Sequence, residues 1–207
     1  LERLLKVYWR PVHAYIQSSG GVNAEDARDL TQEFFIYILE EGLVSRYQRE
    51  KGLFRHYLKG IVRNFLSDAA RARSAQKRGG GRQILSLDAP ETSAAGLLPA
   101  EGASPEEMFD RQWAADVVTQ ALAELRRALL REGREEIWKV YDAYELQPGA
   151  GGTYADVARA LGLTEKQVKE RLRSARQRLE EIITVIVSAS VASRDELRQE
   201  LNELFSG

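Results

Sequence analysis

Residues Thr153 to Leu179 read TYADVARALGLTEKQVKERLRSARQRL, and this stretch decides the fold. Thr153 suits a helix N-cap, with Asp156 three residues on to reach back to it. Val157, Ala158 and Leu161 then form a short apolar stripe at helical spacing. At Gly162 the chain must leave the helix and take a positive φ. Thr164 caps a second helix, again with a partner three residues on, Gln167. Val168, Leu172, Ala175 and Leu179 give that helix one apolar face. Lys166, Gln167, Lys169, Arg171, Arg173, Ser174 and Arg176 fall on the other. A helix after a tight turn, apolar inside and basic outside, suits insertion in a DNA major groove. The plainer alternative is a helical hairpin whose basic face is merely solvated.

The chain has 207 residues, enough for one large domain or two small ones. Its formal net charge is −1, so nucleic-acid affinity must come from local clusters of Lys and Arg. Without cysteine there is no disulfide, thiolate or cysteine-bound zinc. His13 and His56 lack metal-ligand spacing, so neither a metal nor a cofactor is expected. No apolar run is long enough to cross a bilayer and no signal peptide is visible, which points to the cytoplasm.

From the N-terminus, Leu4, Leu5, Tyr8, Trp9, Val12, Tyr15 and Ile16 recur at helical spacing, with Pro11 expected to kink the helix or restart it. After the loop SSGGVN, a second helix is expected from Ala24 to about Glu41, with Leu30, Phe34, Ile38, Phe35 and Leu39 inward. Residues 43–52 read as a loop with a short helical turn. A third helix is expected from Leu53 to about Arg73. Gly60 inside it suggests close packing against a neighbour, since glycine costs about 1 kcal/mol there against alanine. Its outer face carries Arg55, Lys59, Arg63, Arg71 and Arg73, continues through Lys77, Arg78 and Arg82, and offers a single acid, Asp68. Solvated helix faces usually mix signs, so a one-sided row favours phosphate binding.

Residues 79–104 are rich in Gly, Ala, Ser and Pro, carry Asp88, Glu91 and Glu101, and hold one apolar island, Ile84-Leu85-Ser86-Leu87. They read as a flexible linker. Ser104-Pro105-Glu106-Glu107 then opens a helix to about Arg131, with Phe109, Trp113, Val117, Ala121, Leu125 and Leu129 inward. Gly133 breaks it, and Glu135 to Leu146 is expected as one further helix. Beyond Val187 an acidic amphipathic tail remains, with Ser193 as cap and Leu197, Leu201, Leu204 and Phe205 on one side. A helix this short must dock on something. It can complete the second domain's core, cover the recognition helix, pack on the first domain, or meet a partner.

The fold class is therefore all-α: two helical domains joined by a flexible linker, with a C-terminal helical extension. The domains are placed at 1–78, a linker at 79–104, a second domain at 105–187 and the extension at 188–207.

In this order the motifs resemble the bacterial sigma-70 family, in its two-domain extracytoplasmic-function (ECF) group. DARDLTQEFFIYIL (Asp26 to Leu39) is similar to the family's region 2 segment for core polymerase. FRHYLKGIVRNFLSDAARAR (Phe54 to Arg73) is similar to the segment that melts and reads the −10 element, and residues 153–179 to region 4, which binds the −35 element. The resemblance covers about Leu4 to Ile183. It implies core RNA polymerase, through its β′ and β subunits, and promoter DNA as partners, and no enzymatic activity. Asp26, Asp29, Gln32, Glu33 and Phe34 match the β′-docking positions, with Arg28 standing where the family usually has an acid. Tyr47, Arg63, Asn64, Arg71 and Arg73 fall on the −10 segment, where Tyr47 is either a base-stacking or a packing residue. Lys166, Gln167, Lys169 and Arg173 match groove contacts, and Arg171 and Arg176 phosphate contacts. The linker would thread the polymerase, its acids mimicking nucleic acid. An anti-sigma factor is a candidate partner, as is a regulatory kinase adding negative charge at Thr31.

The alternative is a helix-turn-helix regulator that binds duplex DNA without polymerase, which leaves DARDLTQEFF and the basic third helix unused. An enzyme is poorly supported: there is no clustered His, Cys or carboxylate set and no phosphate loop.

Overall fold

The computed structural model describes residues 2–20, 22–78, 102–147, 152–191 and 193–206; for Glu2, Arg3, Arg49, residues 72–78 and Ser206 the description stops at the backbone. Among these residues every regular element is helical: α1 (Glu2–Ser18), α2 (Ala24–Glu40), two single 3-10 turns at Leu43–Arg46 and Arg49–Lys51, α3 (Phe54–Arg78), α4 (Pro105–Arg131), α5 (Glu135–Tyr141) continued by a π-helical turn (Asp142–Leu146), α6 (Tyr154–Leu161), α7 (Glu165–Ser188) and α8 (Arg194–Ser206). The chain forms two compact units, Leu1–Asp116 and Val117–Gly207, so the division falls inside α4.

The first unit buries the apolar stripes of three helices together with the opening turns of α4. Tyr8, Val12, Tyr15 and Ile16 from α1 are buried with Ala27, Leu30, Phe34, Phe35 and Ile38 from α2. Leu53, Leu58 and Val62 join them from the α3 side, and Met108, Phe109 and Trp113 from α4. Rings stack or meet edge-on throughout: Phe34 lies 5.5 Å from both Phe35 and Phe65, and Trp9 stacks on Phe35 at 5.6 Å. Such pairs add about 0.5–1.5 kcal/mol each beyond the area they bury. Pro11 is accommodated within α1 and does not divide it. α2 starts where Asn23 accepts a bond from the Asp26 amide, and ends at Gly42, with φ 61°. Leu39 is not inward as expected; it is 42% exposed, because the buried stripe runs through Phe35 and Ile38.

Gly60 corrects a second expectation. A Cβ at this position would meet nothing within 4 Å, so no close approach requires glycine. Gly60→Ala is accordingly expected to stabilise the chain by about 0.5–1 kcal/mol, the helix-interior cost of glycine. A rise of a few degrees in the thermal midpoint would show it; a fall would mean that an unseen contact fills the space.

In the second unit, Val117, Ala121, Leu125 and Leu129 of α4 are buried as their spacing predicts. Leu125 and Leu129 pack with Ile137, Val140 and Tyr141 of α5, Val157 and Ala158 of α6, and Val168, Leu172 and Ala175 of α7. The helix expected over 135–146 instead widens to π geometry from Asp142 onward, a device frequent at functional sites. Leu161, expected inward, is 37% exposed at the end of α6. α8 packs on α7, starting where the Ser193 hydroxyl accepts from the Glu196 amide. The expected linker, with its acids and apolar island, lies outside the described residues between 79 and 101.

Candidate nucleic-acid interface

The turn between α6 and α7 is held by two capping boxes. Thr153 Oγ1 accepts from the Asp156 amide, while the Asp156 carboxylate accepts from the Thr153 amide at 2.8 Å. At α7, Thr164 Oγ1 accepts from the Gln167 amide and Gln167 Oε1 accepts from the Thr164 amide at 2.9 Å. Gly162 between them is left-handed, with φ 66°, and the Leu163 amide closes back on the Ala158 carbonyl at 2.8 Å. Backbone donors that a bare helix end would leave unpaired are thus satisfied, which fixes how α7 leaves the turn.

The buried Val168, Leu172 and Ala175 turn the opposite side of α7 outward. Lys166, Lys169, Arg173 and Arg176 recur there at three, four and three residues, a stripe of roughly 15 Å at helical rise. Lys166 and Arg173 are exposed and make no ion pair among the described residues. Lys169 is exposed but leans over the Tyr154 ring, 5.1 Å from its centre. Arg176 is engaged: its Nε and Nη2 both donate to Glu145 of the π turn, at 3.0 and 2.5 Å, and this pairing holds its guanidinium more firmly charged. Gln167 is exposed, with its amide oxygen taken up by the cap. Arg171 is half-buried, and its Nη1 is buried without a hydrogen-bond partner among the described residues. Sequence reading missed the Tyr144–Tyr154 pair, stacked at 5.0 Å beside Lys169. Its signal was the tyrosines on either side of the PGAGG loop.

On α2, Asp26, Asp29, Gln32 and Glu33 are all exposed, while Phe34 is wholly buried. Ile36, Tyr37 and Leu39 extend this surface, 54%, 37% and 42% exposed, and only their departure from the Leu30–Phe34–Ile38 stripe marks them in sequence. Acids next to exposed apolar residues form a surface suited to a cationic, partly apolar partner. Thr31 is no part of it. It is buried, and its hydroxyl donates to the Ala27 carbonyl at 2.6 Å. That burial weighs against the phosphorylation expected there, since the folded helix covers the hydroxyl.

The basic row of α3 is divided. Arg55 is 2% exposed, pairs with Asp110 at 2.5 Å and lies over the Trp113 ring at 4.6 Å. Lys59 pairs with the same carboxylate at 2.7 Å. Both were expected on the outer face and both are turned onto α4, since Asp110 offers the anion that burial of a guanidinium requires. Arg63, Asn64 and Arg71 remain exposed, Arg71 3.1 Å from Asp68. The side chains of Arg73, Lys77 and Arg78, and all of Arg82, lie outside the described residues. Tyr47 is half-buried, donates its hydroxyl to the Gly52 carbonyl at 2.8 Å and sets its ring against Phe54 and Tyr57.

Compared with protein families, the chain matches the model for "ECF sigma factor" over residues 3–185. The chain belongs to the ECF sigma factor family. A comparison with curated proteins found no match, and one with solved structures found none either. As a sigma factor, the protein acts with RNA polymerase and promoter DNA in transcription initiation. The match takes in α1 to α6 and most of α7, so the sigma factor's α8 lies beyond it. Among the described residues, no helix of this sigma factor is long and apolar enough to cross a membrane, and no group of His or acids could hold a metal ion.

Proposed function

We propose that this sigma factor docks on the polymerase β′ subunit through the exposed face of α2, melts and reads the −10 element with α3, and binds the −35 element with α7. The observation that carries the reading is the cation stripe of α7, presented from a doubly capped turn. Lys166, Lys169 and Arg173 are assigned to base edges, with Gln167 beside them, and Arg171 and Arg176 to phosphates. Arg63, Asn64, Arg71 and Arg73 are assigned to the −10 strand. Tyr47 serves them by shaping the loop, a role supported by its bond to Gly52. Asp26, Asp29, Gln32 and Glu33 are assigned to β′, with Ile36 and Tyr37 supplying apolar contact and Phe34 supporting the helix from within. An anti-sigma factor is a further proposed partner.

Run-off transcription with core polymerase and a pool of promoter fragments, at stated salt, tests the assignment. Promoter-specific transcripts whose upstream sequences align at two elements are the expected result. Duplex binding without any effect of core polymerase would instead favour a helix-turn-helix regulator. Within region 4, Arg173→Ala is expected to weaken −35 duplex binding by about 1–3 kcal/mol and relax preference at one base pair. A uniform loss across sequences, with the salt slope falling by about one, would reassign Arg173 to phosphate.

A further inference from the structure

Lys169 differs from the other outward cations of α7 in what holds it. Its ammonium lies 5.1 Å from the centre of the ring of Tyr154, the first residue of α6. That ring stacks in turn on Tyr144, with centroids 5.0 Å apart and planes 13° from parallel. Tyr144 belongs to the π-helical turn, and Tyr154 follows directly on the Thr153 cap, so each ring is set by a backbone that is itself fixed. Both tyrosines are half-buried and pack against the core of the second unit. The same turn brings Glu145 to Arg176. Lys166 and Arg173 have no ion pair among the described residues. A lysine ammonium on a free four-carbon stem can swing to an acceptor on a neighbouring base pair or to a phosphate, which dilutes discrimination at any one base edge. An aromatic face restrains the ammonium and brings no negative charge to a surface that approaches phosphates. A carboxylate would hold it too, but would repel the DNA backbone.

We propose that Tyr154, braced by Tyr144, is a positioning residue for promoter specificity: its ring holds Lys169 toward one base edge of the −35 element and away from neighbouring acceptors. This rests on the assignment of Lys169 to base edges. The ring acts through Lys169 alone, so its contribution is to preference at one base pair and not to affinity for DNA in general.

Holoenzyme assembled from the full chain and core polymerase is mixed with promoter fragments randomised across the −35 element, at stated salt. Sequencing of bound and free fragments gives the relative affinity for each base at each position. The parent is compared with Tyr154→Leu, Tyr154→Phe, Lys169→Ala, and Tyr154→Leu combined with Lys169→Ala. Lys169→Ala is expected to reduce preference at one base pair by about fivefold or more. Tyr154→Leu should reduce preference at that same base pair several-fold, and Tyr154→Phe, which keeps the ring, should match the parent. The double variant should be no flatter than Lys169→Ala alone. Damage to α7 as a whole would also lower preference at the base pair read by Arg173, which positioning of Lys169 leaves unchanged. Should Tyr154→Leu fail to fold, Tyr144→Leu, which keeps the Tyr154 ring but removes its brace, carries the same comparison. Unchanged preference in Tyr154→Leu, where Lys169→Ala flattens it, would overturn the inference and leave the assignment of Lys169 standing. So would a Tyr154→Phe protein as flat as Tyr154→Leu, or a further loss from Tyr154→Leu once Lys169 is gone, since Tyr154 would then act on DNA by itself. Unchanged preference at every base pair in Lys169→Ala would overturn that assignment and the inference with it.

Discussion

Phe34→Ala is expected to destabilise the first unit by about 3–5 kcal/mol, the cost of emptying a buried phenyl site. Phe34 is wholly buried, with Phe35 and Phe65 each 5.5 Å away, so the cavity has rigid walls and little scope to collapse. Denaturant unfolding followed by far-ultraviolet circular dichroism measures it. Glu33→Ala, one residue earlier and exposed, is expected to leave the unfolding midpoint within about 0.5 kcal/mol of the parent and to weaken core polymerase capture. The pair separates packing from contact within a single motif. Equal loss of polymerase binding from a fully folded Phe34→Ala protein would instead show that the ring reaches the partner.

Asp110→Ala is expected to cost about 3 kcal/mol. Removing Asp110 takes a buried guanidinium's anion away, and Arg55 at 2% exposed cannot turn to water without leaving the Trp113 ring. The figure sits at the lower end of the range for such pairs because the Asp110 side chain is itself 39% exposed. A double replacement, Arg55→Met with Asp110→Ala, is expected to recover most of the loss, since the buried site then holds no charge that calls for the Asp110 anion. A thermodynamic cycle over the four proteins gives the coupling. Additive losses would mean that Arg55 draws no net stabilisation from Asp110.

The elements were legible wherever apolar spacing and caps agreed. Phe109, Trp113, Val117, Ala121, Leu125 and Leu129 all proved buried, and the caps at Ser104, Thr153, Thr164 and Ser193 all formed. Both signals are local, so a linear reading suffices. What escaped it depends on residues distant in sequence. Arg55 and Lys59 look like members of an exposed row until Asp110, 55 and 51 residues away, supplies their anion. Thr31 looks exposed within an acidic motif, yet it sits between Leu30 and Phe34 on the buried side of α2. The π turn at 142–146 has no compositional mark, and it alone brings Glu145 to Arg176. Of the outward residues of α7, Lys166 and Arg173 could be read directly from helical phase, whereas the engagements of Lys169, Gln167 and Arg176 could not.

The two capping boxes bear on how this family member can change its targets. If α7 reads the −35 element as proposed, its N-terminal end is already satisfied and enters a groove without first having to be ordered, so little of its contact energy is spent on arranging the backbone. Substitutions along its outward stripe should then pass into affinity almost undiluted, one base pair at a time. Neither Lys166 nor Arg173 takes part in the caps, in Gly162 or in the buried Val168, Leu172 and Ala175. On that proposed assignment, the lettering of the helix can be rewritten while its mounting stays the same, and promoter choice becomes independently adjustable.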